Sequence, residues 1–270
     1  MYEMYWGLAQ KPFDNTPDPR FFFASAQHQE ACARVLYCIR ERKGAGMLTG
    51  VFGCGKTVVG QVVLQELNQE RYRTAVIANP RLSDVDLLRM IAHGLGVAAP
   101  PSSKADILMV LQAVMSDNAR EGRDTVVVVD EAHAIGDPNV FEELRLLLNF
   151  QRSDQFLITL LLFGQPELTP LINQNKPFEQ RIGIKSHLGP LTQEETYAYI
   201  RHRLAVAGHR QPHTVFTTEA VGVVFESTGG IPRRINRLCD ISLVAGMSAQ
   251  VSAIDAGIVA EEVKSVTTVA

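Results

Sequence analysis

Eight consecutive residues, Gly50-Val51-Phe52-Gly53-Cys54-Gly55-Lys56-Thr57, carry the most specific chemistry in the chain. The glycines let the backbone curl so that successive N–H groups converge on a phosphate, and a helix opening behind them aims its positive end at the same place. Lys56 offers a point charge for the β- and γ-phosphates and Thr57 a hydroxyl for Mg²⁺. Gly50, Gly53, Cys54, Gly55, Lys56, Thr57 and Val58 are therefore the expected phosphate-binding set. Downstream, Thr125-Val126-Val127-Val128-Val129 runs into Asp130-Glu131-Ala132-His133, which reads as a strand buried on both faces with its acids at the carboxyl end. Asp130 is placed to hold the Mg²⁺ shell and Glu131 to polarise the water that attacks the γ-phosphate. An acid pair alone is often a strand-to-loop boundary. Combined with the glycine-rich loop it predicts hydrolysis of a nucleoside triphosphate.

Such a loop works only between a strand and a helix, and the flanking residues supply both. Met47 to Gly50 is the first expected strand and Val58 to Gln69 the helix behind the loop. Further strands are expected at Thr74 to Asn79, Thr125 to Val129, Phe156 to Phe163 and Ile184 to Leu188. Between them fall helices that Ser83 caps, that span Lys104 to Arg120, and that open at Asp137-Pro138. Strands alternating with helices predict a five-stranded parallel sheet covered on both faces, with ligands beyond the carboxyl ends of the strands. Thr57, Asp130, Glu131 and Gln165 all fall at that end.

Residues 1–24 are aromatic and proline-rich, so they are not helical throughout, and their aromatics are expected to clamp them onto the rest of the chain. Ser25 is read as the cap of a helix to about Lys43. From residue 190 only helices are expected: a capping box at Thr192-Gln193-Glu194-Glu195, then helices near Thr218 to Ser227, Pro232 to Met247 and Ala253 to Val263. The expected organisation is an N-terminal segment over 1–24, a nucleotide-binding α/β domain over 25–189, and a helical lid over 190–270.

Of 270 residues, 46% are hydrophobic and 20% charged, an ordinary globular mixture that supports a sizeable core. A formal net charge of −3 leaves any nucleic-acid contact to a local patch. Cys32, Cys38, Cys54 and Cys239 form no paired spacing, which suits a reducing compartment. No signal sequence or apolar run of membrane-spanning length stands out. Cytoplasmic residence is the expectation.

Several words stand out along the chain: Tyr5-Trp6-Gly7-Leu8, Lys11-Pro12-Phe13, Thr16-Pro17-Asp18-Pro19-Arg20-Phe21-Phe22, the loop itself, Val129 to His133, Glu143-Leu144-Arg145, Gly164-Gln165-Pro166-Glu167-Leu168 and Gly229-Gly230-Ile231-Pro232-Arg233-Arg234. Together they resemble the general secretion pathway protein A family of AAA+ ATPases. The resemblance implies a ring or filament of identical subunits that binds ATP and Mg²⁺ and works on protein partners of an envelope secretion complex. It implies that Arg181 reaches the γ-phosphate of a neighbouring subunit, that Arg233 is the lid arginine, and that Gln165 stands where a γ-phosphate sensor is expected. A surface ion pair is the plain alternative for Arg181. Val51 stands where the family usually has an acid. Family members often continue into a membrane helix, so membrane attachment here is expected through a partner or through residues outside 1–270. Similar ATPases load onto DNA and recruit a transposase; that is the second reading, opposed by the acidic charge. His133 is read as a strand-end residue, Cys54 as a small residue that fits, and His202, His209 and His213 as no metal site.

Overall fold

The computed structural model describes residues 1–152 and 155–268. They form two compact units, one built on a sheet and one helical.

The sheet unit comprises Gln27–Phe52 and Val59–Leu188. Its strands are β1 (Ala45–Gly50), β2 (Tyr72–Ile77), β3 (Asp124–Val129), β4 (Ile158–Gly164) and β5 (Ile182–Leu188). All pair in parallel in the order β2-β3-β4-β1-β5. The three inner strands are buried at every residue, which is why their sequences are predominantly apolar. The edge strands differ. In β2, Arg73, Thr74 and Val76 are exposed while Tyr72, Ala75 and Ile77 are buried, and in β5 Gly183, Lys185 and His187 are exposed.

The helices of this unit begin with α1 (Ala26–Arg40) and α2 (Lys56–Glu66), followed by α3 (Asp84–Gly94), α4 (Lys104–Arg120) and α5 (Pro138–Leu147). Ser83 caps α3 through the Asp86 N–H, and Asp137 caps α5 with Pro138 in its first turn, as capping chemistry dictates. Leu87, Leu88, Ile91, Ile107, Leu111 and Met115 of α3 and α4 join Val127, Val129, Leu160 and Leu162 in one core. α2 lies so close to β4 that a Cβ on Gly60 would sit 2.7 Å from Phe163 Cε2. Bulk at that position would force the helix off the sheet.

Several boundaries depart from the sequence reading. α1 stops at Arg40, and α2 begins at Lys56 rather than Val58. Phe156 lies outside β4, in a two-residue antiparallel pair of Gln151–Arg152 with Gln155–Phe156. Two short helices, α6 (Leu168–Gln174) and α7 (Lys176–Glu179), follow Gln165 with no expectation behind them. Asn175 divides them: its side chain accepts the Phe178 N–H and Pro177 follows, a cap that restarts the helix in a new direction.

The helical unit comprises Met1–Ala26, Gly53–Val58 and the chain from Gly189. Its helices are α8 (Gln193–Val206), α9 (Thr218–Thr228), α10 (Pro232–Ser248) and α11 (Ala256–Thr268). Thr192 and Glu195 form a complete capping box, and Gly229 ends α9 at φ 62°. α11 starts later than its apolar pattern suggests because Asp255 accepts the Ile258 N–H at 3.0 Å.

The N-terminal segment folds as part of this unit. Trp6, buried against α10, donates from its indole N–H to the Leu243 carbonyl at 2.9 Å, and the Ala9 N–H reaches the Ala207 carbonyl at 2.8 Å. Arg203 is buried, its guanidinium donating to the carbonyls of Pro12 and Asp14 and lying over the Phe21 ring. A buried guanidinium needs its donors met, so these bonds help fix the path of residues 12–14.

Candidate nucleotide site

The chain leaves β1 at Gly50 and enters α2 at Lys56. Gly53 and Gly55 lie between at φ 88° and 100°, a backbone region that side-chain-bearing residues avoid. This sharp curl is what turns successive N–H groups inward. Gly53 is constrained twice. Its carbonyl accepts the N–H of Arg233 at 3.2 Å, and a Cβ there would lie 2.7 Å from Arg233 Cβ and 3.2 Å from Ile231 Cγ2. The first turn of α10 therefore braces the glycine-rich loop. Arg233 itself is exposed, with its carbonyl 3.5 Å from the Asn15 amide, and Asn15 is bonded in turn to Asn236 and through it to Tyr199.

Lys56 is 5% exposed at the first position of α2, unusual for a side chain that almost always stays solvated. Thr57 and Val58 follow it on the same turn. The left-handed glycines, the lysine at a helix N-terminus and the hydroxyl of Thr57 beside it fit a polyphosphate and its Mg²⁺. Cys54 is fully buried, and burial pushes its thiol up to about 11, with Lys56 pulling the other way. It fills space in the loop as a protonated thiol, with no thiolate chemistry near neutral pH.

In the sheet unit the acids stand at the carboxyl end of β3. Asp130 is 9% exposed, and its Oδ1 accepts the Glu131 N–H at 2.9 Å. Glu131 has φ 52°, left-handed although it is not glycine. Strain of this kind costs about 1–3 kcal/mol and persists where the surroundings enforce it. It turns the chain out of the strand and into a tight turn over Ala132–Ala134. Gln165 follows the last residue of the neighbouring β4. His133 contacts both: its Nδ1 lies 3.3 Å from Glu131 Oε2 and 3.2 Å from the Gln165 backbone N, and its Nε2 lies 3.0 Å from the Gln165 amide. Sequence reasoning gave His133 no chemical role. The signal was its place two residues after the acid, but the meeting with Gln165 depends on the order of the strands.

Arg181 lies elsewhere in this unit. It precedes β5 at the amino end of the parallel sheet, whereas Asp130 and Glu131 follow β3 at the carboxyl end. A six-residue strand places about 20 Å between those edges. Arg181 Nη2 donates to Asn149 Oδ1 at 3.3 Å, and its guanidinium lies 5.9 Å from the Phe156 ring centre. Within the sheet unit it is thus separated from the acids by the length of the sheet.

A family model for the AAA domain matches residues 39–172. The chain is 38% identical over 254 residues to the general secretion pathway protein A of Aeromonas hydrophila, covering 92% of this chain and 45% of that relative. It therefore spans about half the length of that protein. Among solved structures it resembles the Aeropyrum pernix ORC2 protein with a TM-score of 0.71 at 17% identity, over 94% of this chain and 71% of that one. The Cdc6p protein of Pyrobaculum aerophilum gives a TM-score of 0.68 at 15% identity, over 90% of this chain and 67% of the other. Likeness at such low identity shows the shared fold.

Proposed function

The chain belongs to the general secretion pathway protein A family of AAA+ ATPases, and from that premise we propose an oligomeric motor that hydrolyses ATP to assemble or remodel a protein complex of bacterial envelope secretion. One observation carries the hydrolytic part: Glu131 and Gln165 stand at the carboxyl ends of neighbouring strands and share one histidine. A water-polarising carboxylate and an amide able to bond a phosphate oxygen are the two groups that hydrolysis needs beyond phosphate binding.

In this reading Gly53, Gly55 and the N–H groups through Val58 cradle the phosphates, and Lys56 neutralises their charge. Thr57 and Asp130 would hold Mg²⁺, which would supply further positive charge to the β- and γ-phosphates. Glu131 takes the proton of the attacking water, and Arg233 contacts the nucleotide from the first turn of α10. Arg181, at the opposite edge of the sheet from Glu131, serves the nucleotide of a neighbouring subunit, which supports the oligomeric reading. No helix among the described residues is long and apolar enough to cross a membrane, and any attachment to the envelope is assigned to partners or to further sequence.

The test is ATP turnover and nucleotide affinity of Glu131→Gln beside the unchanged protein. The substitution keeps size and removes the base, so nucleotide affinity should persist while turnover falls by about a hundredfold or more. Normal turnover by Glu131→Gln would overturn the assignment. Including duplex DNA at low salt tests the transposition-helper reading, because stimulation through phosphate contacts fades steeply as salt rises.

A further inference from the structure

Three polar groups from two adjacent strand ends meet at the His133 imidazole. Nδ1 accepts the Gln165 backbone N–H at 3.2 Å, so the neutral ring carries its proton on Nε2. Nε2 lies 3.0 Å from the Gln165 side-chain amide, which must then present its oxygen to the ring. Glu131 Oε2 is 3.3 Å from the same Nδ1, a close approach and not a hydrogen bond in this tautomer, because neither atom carries a proton. The backbone that carries the ring is closely held. A Cβ on Gly164 would lie 3.2 Å from the His133 backbone nitrogen, and the Glu131 carbonyl is taken by the Ala134 N–H at 2.8 Å.

The geometry points to His133 as the positioning residue that links Gln165 to Glu131, so that contact between the Gln165 amide and a terminal phosphate sets the direction of the Glu131 carboxylate. This rests on the ATPase reading above. A Gln165 amide that turns towards a phosphate oxygen releases Nε2, and the ring is then held by the backbone N–H at Nδ1 alone. The ring bounds one side of the Glu131 carboxylate, so its rotation changes where that carboxylate points. A carboxylate acts as a base only within hydrogen-bond reach of the water it deprotonates. A triphosphate and a diphosphate would thereby leave Glu131 in different orientations.

The experiment compares His133→Ala, His133→Gln, Gln165→Ala and the double variant His133→Ala/Gln165→Ala in the full chain, by ATP turnover, fluorescent-nucleotide affinity and melting temperature. His133→Ala should lower kcat by about tenfold or more while KM and nucleotide Kd stay within about threefold. His133→Gln, which keeps a donor and an acceptor, should recover part of that loss. Gln165→Ala should cost little more in the His133→Ala background than the worse single variant does, since both break one linkage. Losses that multiply would overturn the coupling, as would a His133→Ala protein with kcat near normal. A fall in affinity and melting temperature together, unrelieved in His133→Gln, would reduce His133 to a structural role. The ATPase reading fails separately, through Glu131→Gln.

Discussion

Replacing Gly53 by alanine is expected to damage nucleotide binding through Arg233, although the new methyl carries no charge and removes no donor. Two costs arise at one atom. The φ of 88° is strained for any residue with a Cβ, at about 1–2 kcal/mol. The Cβ would also sit 2.7 Å from Arg233 Cβ, where ordinary contact begins at 3.4 Å, so a displacement of several tenths of an ångström is needed. Arg233 Cβ is fixed to the first turn of a seventeen-residue helix and does not yield as a side-chain tip would. Overpacking of this kind costs about 1–3 kcal/mol. The loop is the softer partner and should relax by opening its phosphate cradle, breaking the 3.2 Å bond from the Arg233 N–H to the Gly53 carbonyl. A combined cost of about 2–5 kcal/mol corresponds to a loss of about thirtyfold to several thousandfold in nucleotide affinity. Titration with a fluorescent ATP analogue measures it, with thermal melting to show how much of the cost falls on stability. A Gly53→Ala protein with Kd within about threefold of the parent and an unchanged melting temperature would refute the argument.

Two further outcomes follow from the same geometry. Arg181→Ala should leave nucleotide Kd unchanged and lower turnover by about a hundredfold or more, because a guanidinium supplied by a neighbour meets its charge chiefly in the transition state. Mixing Arg181→Ala with Glu131→Gln subunits should restore part of the turnover, since some interfaces then pair an intact glutamate with an intact arginine; no recovery at any ratio would end the intersubunit role. Cys54, with its thiol pushed up to about 11 by burial, is protonated at neutral pH and becomes thiolate only far above it. Iodoacetamide near neutral pH should therefore leave Cys54 unlabelled and turnover intact, and rapid labelling by mass spectrometry would contradict the buried position.

What the sequence disclosed was what is local along the chain. The glycine-rich loop, the valine run into Asp130 and Glu131, the Thr192 capping box and the Asp137-Pro138 helix start each depend on residues within one or two turns of one another, so their periodicity and caps could be read directly. α6 and α7 were missed because each is short and an internal cap at Asn175 interrupts their apolar pattern. Trp6 donating to the Leu243 carbonyl and Arg203 reaching the Pro12 carbonyl join residues far apart in sequence; no local pattern marks them. The aromatic N-terminal words looked like a clamp, but which helices they would grip was not written in them.

The same division explains the site. Asp130 and Glu131 were legible as a pair, whereas His133 acquires a role only because β4 runs beside β3 and delivers Gln165 to its ring. Arg181 shows the converse. A resemblance alone singled it out, and its half-buried side chain rests on Asn149 and Phe156. Strand direction supplies the physical reason to expect it at work on another molecule. In a parallel sheet every carboxyl end faces one way, so a residue preceding β5 cannot join those that follow β3 and β4 within the same sheet unit. If Arg181 meets a phosphate, that phosphate is bound by a second copy, and turnover should rise with protein concentration in the way that restoration by mixed subunits also requires.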